Sequence, residues 1–413
     1  MGSVAQGCLP TCAHDVIATW KMLPRPAVDE SSRPAATVLI NALAMHSVSD
    51  AARVFLDNVI RGLPEAWPEA HVVVIVRHGA KLPSGARITA IRLGSSGSGV
   101  LRVVDELVRV RWIIRRVAPD VVINPNESIP GGVRAPLVVV AQNLFFHCPE
   151  IGPLRHGSGA ARLRSRLQFA FYRWRMPHAY ARADATVTVS AHAAGELAEH
   201  AELDLEKAHV VHYGADRLPI GARARPGTNK KILIVGAVAH YKRVEQALEA
   251  LAILRQAGDY VLWLAGGCWP GQEDVLRSRA RELGLQDAVR FLGPVGSDEL
   301  VALFASSHVG LALSACESFG IPVIEGLRAG LPHVVADEPW SAETVADSVV
   351  RVDARDPSAI AMGIRRLEDP KEWEIMAQRG RERASRYTWQ ANAAGIAAVA
   401  IRVVEQRRMS TAG

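Results

Sequence analysis

Short runs of apolar residues alternate with amphipathic segments along almost the whole chain, and this alternation restricts the fold more than any other feature. Each apolar run has the length of a buried strand and is too short to span a bilayer. Strands of a first round are predicted at residues 37–43, 71–76, 88–93, 120–123, 137–142, 185–189 and 209–213. Strands of a second round are predicted at residues 231–235, 261–265, 289–292, 308–313, 332–336 and 349–352. Two rounds of βα units predict an α/β protein with two doubly wound parallel sheets.

Helices are predicted between these strands, notably at residues 49–63, 100–117 and 244–256, with a final helix at 388–406. A length of 413 residues is too great for one compact core and predicts two domains. We predict a disordered N-terminal extension at 1–34, a first domain at 35–215, a linker at 216–229, a second domain at 230–386 and a closing helix and tail at 387–413. Because ligands of doubly wound sheets bind beyond the carboxyl ends of the strands, the expected site is the cleft between the domains.

Charge and cysteine content restrict the partners and the compartment. The net charge of +6 indicates attraction to anions, but no nucleic-acid-binding module accompanies it, so a nucleic-acid partner is disfavoured. The five cysteines are Cys8, Cys12, Cys148, Cys268 and Cys316. They are scattered and form no zinc-like pairs of doublets, which is typical of a reduced cytoplasmic protein.

Glu317 and Glu325 frame the stretch ESFGIPVIE, which lies between a predicted strand and a predicted helix. Its loop residues are Ser318, Phe319 and Gly320. This loop presents backbone N–H groups and the positive end of a helix dipole at one place, which favours an anion. Two carboxylates would repel phosphate and should face neutral hydroxyl groups of the same ligand. A phosphate flanked by hydroxyl groups describes a nucleoside diphosphate (NDP) sugar.

The acidic stretch resembles the E-x7-E motif of family 4 retaining glycosyltransferases, which have the GT-B fold. The resemblance runs from about residue 37 to the last helix and is strongest from Lys231 onward. It implies two facing Rossmann-like domains with a C-terminal crossover helix. It also implies retaining transfer of a sugar from an NDP-sugar to a hydroxyl acceptor, a hexosyltransferase reaction of class EC 2.4. Neither a metal nor a cofactor is implied, since the NDP-sugar is a substrate.

The resemblance also implies roles for individual residues. Glu317 would hold hydroxyl groups of the transferred sugar, and Glu325 would hold the ribose hydroxyls. Lys242 would neutralise the departing diphosphate, with Arg243 as a second cation. The family usually has an arginine one place after the glycine turn, where this chain has Ala237. The plainer alternatives are a capping acid with a solvated helix acid, and a solvated pair of cations at a helix start.

Further donor-binding residues are expected at the ends of three strands of the second domain. By resemblance these are Gly236 and Gly266 in glycine turns, together with Leu292, Gly293 and Val295, whose backbone groups would hold the base. An ordinary strand-to-helix turn would have a similar sequence. In the first domain, residues 47–50 contain no glycine, although relatives commonly have a glycine pair near the diphosphate there.

The acceptor side is expected in the first domain. Asn143 and His147 follow a predicted strand, and Ser190 ends another, so polar groups reach the cleft. A histidine beside two phenylalanines is as often a packed loop residue.

The segment 155–182 combines many arginines with aromatic and aliphatic residues. Such a helix can lie on an anionic membrane, which would place the protein on the inner face with a lipid-linked acceptor. The alternative is a solvated helix packed on the first domain, with a soluble glycan or metabolite acceptor. Two other functions stay open, an NDP-sugar epimerase and an NDP-sugar-binding protein without transfer activity.

Overall fold

The structure is a computed structural model that describes residues 36–43, 50–83, 87–94, 108–125, 133–142, 144–154, 156, 158–218 and 230–412. Four predicted features lie wholly or partly outside the described residues: the extension at 1–34, residues 47–49 of the glycine-free segment 47–50, part of the helix 100–117, and residues 219–229 of the linker 216–229. Asn143 lies outside them as well. Within the described part, no helix is both long enough and apolar enough to cross a membrane.

Two parallel sheets organise the described residues. The first contains β1 (Ala36–Asn41), β2 (Ala70–Arg77), β3 (Ile88–Leu93), β4 (Val121–Asn124), β5 (Leu137–Ala141), β6 (Ala185–Thr188) and β7 (Ala208–Val210), in the order β3-β2-β1-β4-β5-β6-β7. The second contains β8 (Lys230–Val235), β9 (Tyr260–Ala265), β10 (Val289–Gly293), β11 (Val309–Ala312), β12 (His333–Ala336) and β13 (Val350–Val352), in the order β10-β9-β8-β11-β12-β13. The α/β prediction is therefore confirmed.

Helices cover both sheets. Those of the first part are α1 (Asp50–Ala66), α2 (Val110–Val117), α3 (Gly159–Arg182) and α4 (Ala191–Ala201). Those of the second part are α5 (Val244–Arg255), α6 (Gln272–Glu282), α7 (Ser297–Ser306), α8 (Ile321–Arg328), α9 (Pro339–Thr344), α10 (Pro357–Arg366) and α11 (Pro370–Ala384). Central strands such as β4 and β5 are buried at every position, because helices pack against both faces of the sheet.

The last helix, α12 (Trp389–Ala412), crosses back and packs along α1 of the first domain. The two helices approach so closely that a Cβ on Gly62 would lie 2.5 Å from the Cβ of Ala393. Gly395 likewise lies against Val211 of the first domain. This crossing confirms the C-terminal crossover helix, which extends further than the predicted 388–406.

Strand ends differ from the predictions by a few residues, most clearly at the edge of the first sheet. The strand predicted at 209–213 was wrong in its second half, because β7 ends at Val210. The chain then turns towards α12, and the ring of Tyr213 packs against Phe55 and Trp389. Apolar residues here pack on a crossover helix rather than continuing a strand, and a local pattern does not distinguish the two.

Candidate functional site

The acidic loop and α8 stand at the carboxyl end of β11, on the side that faces the first domain. Gly320 ends the loop with φ of 82°, a left-handed conformation that favours glycine, and the helix begins at Ile321 with a proline in its first turn. A Cβ on Gly320 would also come within 2.9 Å of the Trp340 ring. The start of α8 is thereby held in the geometry that presents backbone N–H groups to an anion.

Lys242 and Glu317 form an ion pair beside this helix start. Ser314 donates a hydrogen bond to the same carboxylate oxygen of Glu317 over 2.7 Å. Burial lowers the pKa of Lys242, but the charge of Glu317, the charge of Tyr241 and the hydrogen bond to Glu317 together outweigh it, so the pKa is raised above its ordinary value. The ammonium group is therefore charged at neutral pH, beside a helix start that favours an anion.

Arg243 lies beside Lys242 in sequence but contacts different partners. Its guanidinium pairs with Glu338 over 2.7 Å and donates to the carbonyl of Leu313 over 3.4 Å. The structure therefore ties Arg243 to the beginning of the acidic loop rather than to the Lys242–Glu317 pair. Its predicted contact with the diphosphate stays a prediction.

Glu325 lies one turn inside α8 and is buried, with its side chain 2% exposed. Arg217 grips it with two hydrogen bonds, Nε to Oε1 at 2.5 Å and Nη2 to Oε2 at 3.3 Å. Burial raises the pKa of Glu325, while the hydrogen bonds and charge of Arg217 lower it, and the net shift is upward. Sequence reasoning missed Arg217, because an arginine in the predicted linker has no characteristic spacing from an acid more than a hundred positions away.

The side chains of Ser318 and Phe319 fasten the acidic loop to the first domain. The Ser318 hydroxyl donates to the carbonyl of Gln142 over 3.0 Å, and the Ser190 hydroxyl donates to the carbonyl of Ser318 over 2.6 Å. Phe319 is buried against Tyr213 and Tyr387. Their side chains are thus engaged, so a ligand at this loop would meet backbone groups.

The glycine turns of the second domain converge where β8, β9 and β10 end. The N–H of Gly236 donates to Ala265, and that of Gly266 donates to Gly293 over 2.8 Å. Gly266 has φ of 154°, and a Cβ there would overlap the carbonyl oxygen of Gly236. Leu292 and Val295 are partly buried beside this edge. The structure thus brings the predicted base-binding residues to one edge of the sheet.

The first-domain candidates are engaged in internal contacts. His147 is buried, and its Nδ1 lies 3.2 Å from the carbonyl oxygen of His200. Burial lowers its pKa, which favours a neutral ring. Ser190 is buried as the N-cap of α4. This geometry favours the packed alternative for His147 and a structural role for Ser190, and their acceptor roles stay predictions.

Cys148 and Cys316 correct the prediction of reduced, unpaired cysteines. They are joined in a disulfide, with Cα atoms 6.7 Å apart across the domains and 168 positions apart in sequence. Scattered spacing gives no indication of a pair that only the fold brings together. Cys268 has a free thiol. The disulfide lies next to Glu317 and adds a covalent link at the cleft.

Two family models match adjoining parts of the chain. "Glycosyltransferase Family 4" matches residues 52–217, and "Glycosyl transferases group 1" matches residues 220–383. One match lies on each sheet, and the second contains Lys242, Glu317 and Glu325. The chain belongs to glycosyltransferase family 4.

Relatives of this family 4 glycosyltransferase include the glycogen synthase of Mycobacterium tuberculosis, 30% identical over 281 residues, which are 65% of this chain and 66% of that protein. The MMP alpha-(1->4)-mannosyltransferase of Mycolicibacterium hassiacum is 31% identical over 221 residues, 52% of this chain and 53% of that protein. The chain therefore spans less than two thirds of the length of these relatives. A solved structure of Anabaena HepE in complex with UDP-glucose matches with a TM-score of 0.63 at 16% identity, covering 91% of this chain and 100% of that one. This likeness supports the GT-B fold.

Proposed function

We propose that this glycosyltransferase moves a sugar from an NDP-sugar donor to a hydroxyl group of an acceptor. The observation that carries the proposal is the Lys242–Glu317 pair at the start of α8, with the carboxylate of Glu325 one turn further on. Family membership supports it, and so does the fold shared with a protein that binds UDP-glucose. The relatives act on different sugars, so the base and the sugar of the donor stay open.

The leaving diphosphate would lie between Lys242 and the N–H groups at the start of α8. Both carry positive charge that is already in place before the reaction, so they stabilise the negative charge that develops on the departing oxygen. When the diphosphate binds Lys242, it competes with Glu317 for the ammonium group. Glu317 then becomes available to accept hydrogen bonds from hydroxyl groups of the transferred sugar.

We propose that transfer retains the anomeric configuration. The bond between the anomeric carbon and the diphosphate oxygen breaks, and the acceptor oxygen bonds to the same face of that carbon. The acceptor proton passes to the leaving phosphate oxygen, so no protein base is needed. Because Lys242 and α8 neutralise the diphosphate, we expect turnover to survive removal of divalent metal by EDTA.

We also propose that α3 brings the protein to the surface of an anionic membrane, where a lipid-linked acceptor would lie. Four large apolar side chains recur at helical spacing along α3 and are exposed, Leu163 at 59%, Leu167 at 64%, Phe171 at 46% and Trp174 at 62%. The arginines beside them are Arg162, Arg164, Arg166, Arg173 and Arg175. Apolar residues flanked by arginines match a surface of acyl chains and anionic headgroups.

A second candidate function is NDP-sugar binding without transfer. Ala237 favours it, because the chain lacks a diphosphate cation at the place where relatives usually have arginine. The glycine-free segment 47–50 favours it as well.

Incubation with UDP-glucose, ADP-glucose and GDP-mannose, in which water takes the place of the acceptor hydroxyl, separates these functions through the release of free NDP and free sugar. Transfer predicts NDP release that Lys242→Ala or Glu325→Ala slows by orders of magnitude, since each removes a charged contact to the donor. Near-normal rates in both variants would refute these roles. Tight donor binding without release in the unmodified protein would favour the binding function.

A further inference from the structure

Arg217 connects the buried carboxylate of Glu325 to the junction between the domains. It lies in the segment that leaves β7 towards the second domain, and its guanidinium makes both hydrogen bonds to Glu325. The Arg217 side chain is 25% exposed, compared with 2% for Glu325. The pair is therefore shielded from water. In such a place, bidentate charge-assisted hydrogen bonds are strong and specific in direction.

The backbone that carries Arg217 is held in place by the crossover. The N–H of Ala215 donates to the carbonyl of Tyr387 over 3.1 Å, and Asp216 accepts a hydrogen bond of 2.8 Å from the N–H of Trp389. A Cβ on Gly214 would overlap Trp389. Arg217 thus extends from the place where the chain crosses between the domains at the start of α12.

The two hydrogen bonds from Arg217 use only part of the hydrogen-bonding capacity of this carboxylate. A carboxylate offers about four acceptor positions, and Arg217 uses one on each oxygen of Glu325. One position on each oxygen stays available for a pair of neighbouring hydroxyl groups, such as the 2′ and 3′ hydroxyls of a ribose. The acceptor capacity of Glu325 is therefore sufficient for Arg217 and a ribose together.

The charge of Arg217 also acts on the ionisation of Glu325. Burial raises the pKa of this carboxyl and Arg217 lowers it, so removal of Arg217 would leave burial unopposed. Other titratable side chains near this helix are His333 of β12, which packs on Gly326 of α8, and Arg381 of α11, which packs on Gly330 just beyond the end of α8. Both are unchanged by a substitution at Arg217, so their titration is common to both proteins in a comparison.

We propose that Arg217 is a positioning residue for the nucleotide ribose, which orients Glu325 for the ribose diol and links donor binding to the junction between the domains. This inference rests on the proposed function, in which Glu325 binds the ribose. Arg217 itself acts through Glu325 and through the segment that it anchors.

Titrations of UDP, GDP and ADP into the full chain identify the nucleotide used for the test. Arg217→Gln should raise its Kd, and the KM of the matching donor, by roughly ten- to hundred-fold. The kcat should change much less. Arg217→Lys keeps the charge but loses the bidentate hydrogen bonding. Its Kd and KM should therefore lie between those of the unmodified protein and those of Arg217→Gln. Arg366→Gln is the matched control, since it removes an arginine that also makes two hydrogen bonds to a glutamate, Glu372, but on the surface of the same domain.

A pH series distinguishes positioning from a general loss of structure. Nucleotide affinity should fall at acid pH as Glu325 takes up a proton, and this fall should occur at higher pH in Arg217→Gln. An unchanged or lower Kd in Arg217→Gln would overturn the inference. So would a fall in nucleotide affinity that occurs at the same acid pH in Arg217→Gln as in the unmodified protein. Should Arg217→Gln not fold, the Kd and pH profile of Arg217→Lys decide. If Glu325→Ala leaves nucleotide affinity intact, the proposed ribose site fails; if only Glu325→Ala weakens binding, the inference about Arg217 fails alone.

Discussion

Individual residues of the candidate site are held by contacts that the sequence motif does not contain. Lys242 and Glu317 were predicted from the resemblance and lie together, whereas Arg243 pairs with Glu338 and Glu325 pairs with Arg217. Motif spacing indicates which residues share a loop or helix. It does not indicate partners that arrive from other elements, which is why Arg217 and Glu338 could not be predicted.

A substitution at Gly266 tests whether the glycine turns approach each other as closely as the structure shows. Gly266→Ala would place a methyl group against the carbonyl of Gly236 at φ of 154°, so we expect a loss of about 2 kcal/mol or more of unfolding free energy, and weaker nucleotide binding. Gly267→Ala is the control, because its added Cβ would meet nothing closer than Pro294 at 3.9 Å. Urea unfolding and nucleotide titration measure both. Equal behaviour of the two variants would contradict the close approach of these turns.

Among the elements, most strands and helices lie where the sequence pattern predicts them. The strand at the edge of the first sheet does not. The pattern located both sheets because buried parallel strands are apolar at every position, as in β4 and β5. It overextended the strand that became β7, where apolar residues pack on the crossover helix. The exposed apolar stripe of α3 likewise could not be told from a buried face by its spacing.

The stripe on α3 predicts binding to vesicles that contain phosphatidylglycerol and weak binding to pure phosphatidylcholine. Trp174→Asp should weaken binding by roughly tenfold or more, since a large apolar group no longer leaves water. Gln168→Asp is the control, because it makes the same change of charge at an exposed polar position of the same helix. Sedimentation with vesicles measures the bound fraction. Equal loss in both variants, or no binding by the unmodified protein, would favour a solvated helix.

At the scale of the whole molecule, contacts between the domains gather around the candidate site. The disulfide between Cys148 and Cys316 and the bonds between Ser190, Ser318 and Gln142 all end on the acidic loop or next to it. Glu343 of α9 adds a contact further along, since its carboxylate accepts hydrogen bonds from the N–H groups of Ala191 and His192 at the start of α4. None of these pairs is close in sequence, so only the fold shows them.

Glu343 predicts a pH-dependent contribution to stability. Burial raises the pKa of Glu343, but the hydrogen bonds from His192, Ala191 and His212 lower it by more, so the folded value lies below the ordinary 4.5. Its contribution is therefore present above pH 4.5 and is lost as the pH falls through the folded pKa. Glu343→Ala should reduce the unfolding free energy by about 1–3 kcal/mol at neutral pH, and the difference should shrink in acid.

Denaturant titrations at several pH values measure this difference. Glu372→Ala, which removes a surface carboxylate paired with Arg366, is the control and should cost about 1 kcal/mol or less. A difference for Glu343→Ala that stays constant into acid would show that its carboxylate charge does not hold α4.

A structure of the protein with its NDP bound tests the whole account most directly. The account predicts that the diphosphate contacts Lys242 and the backbone N–H groups where the loop of Ser318, Phe319 and Gly320 enters α8. The ribose hydroxyls should contact Glu325. A nucleotide bound elsewhere, with the start of α8 unoccupied, would contradict it.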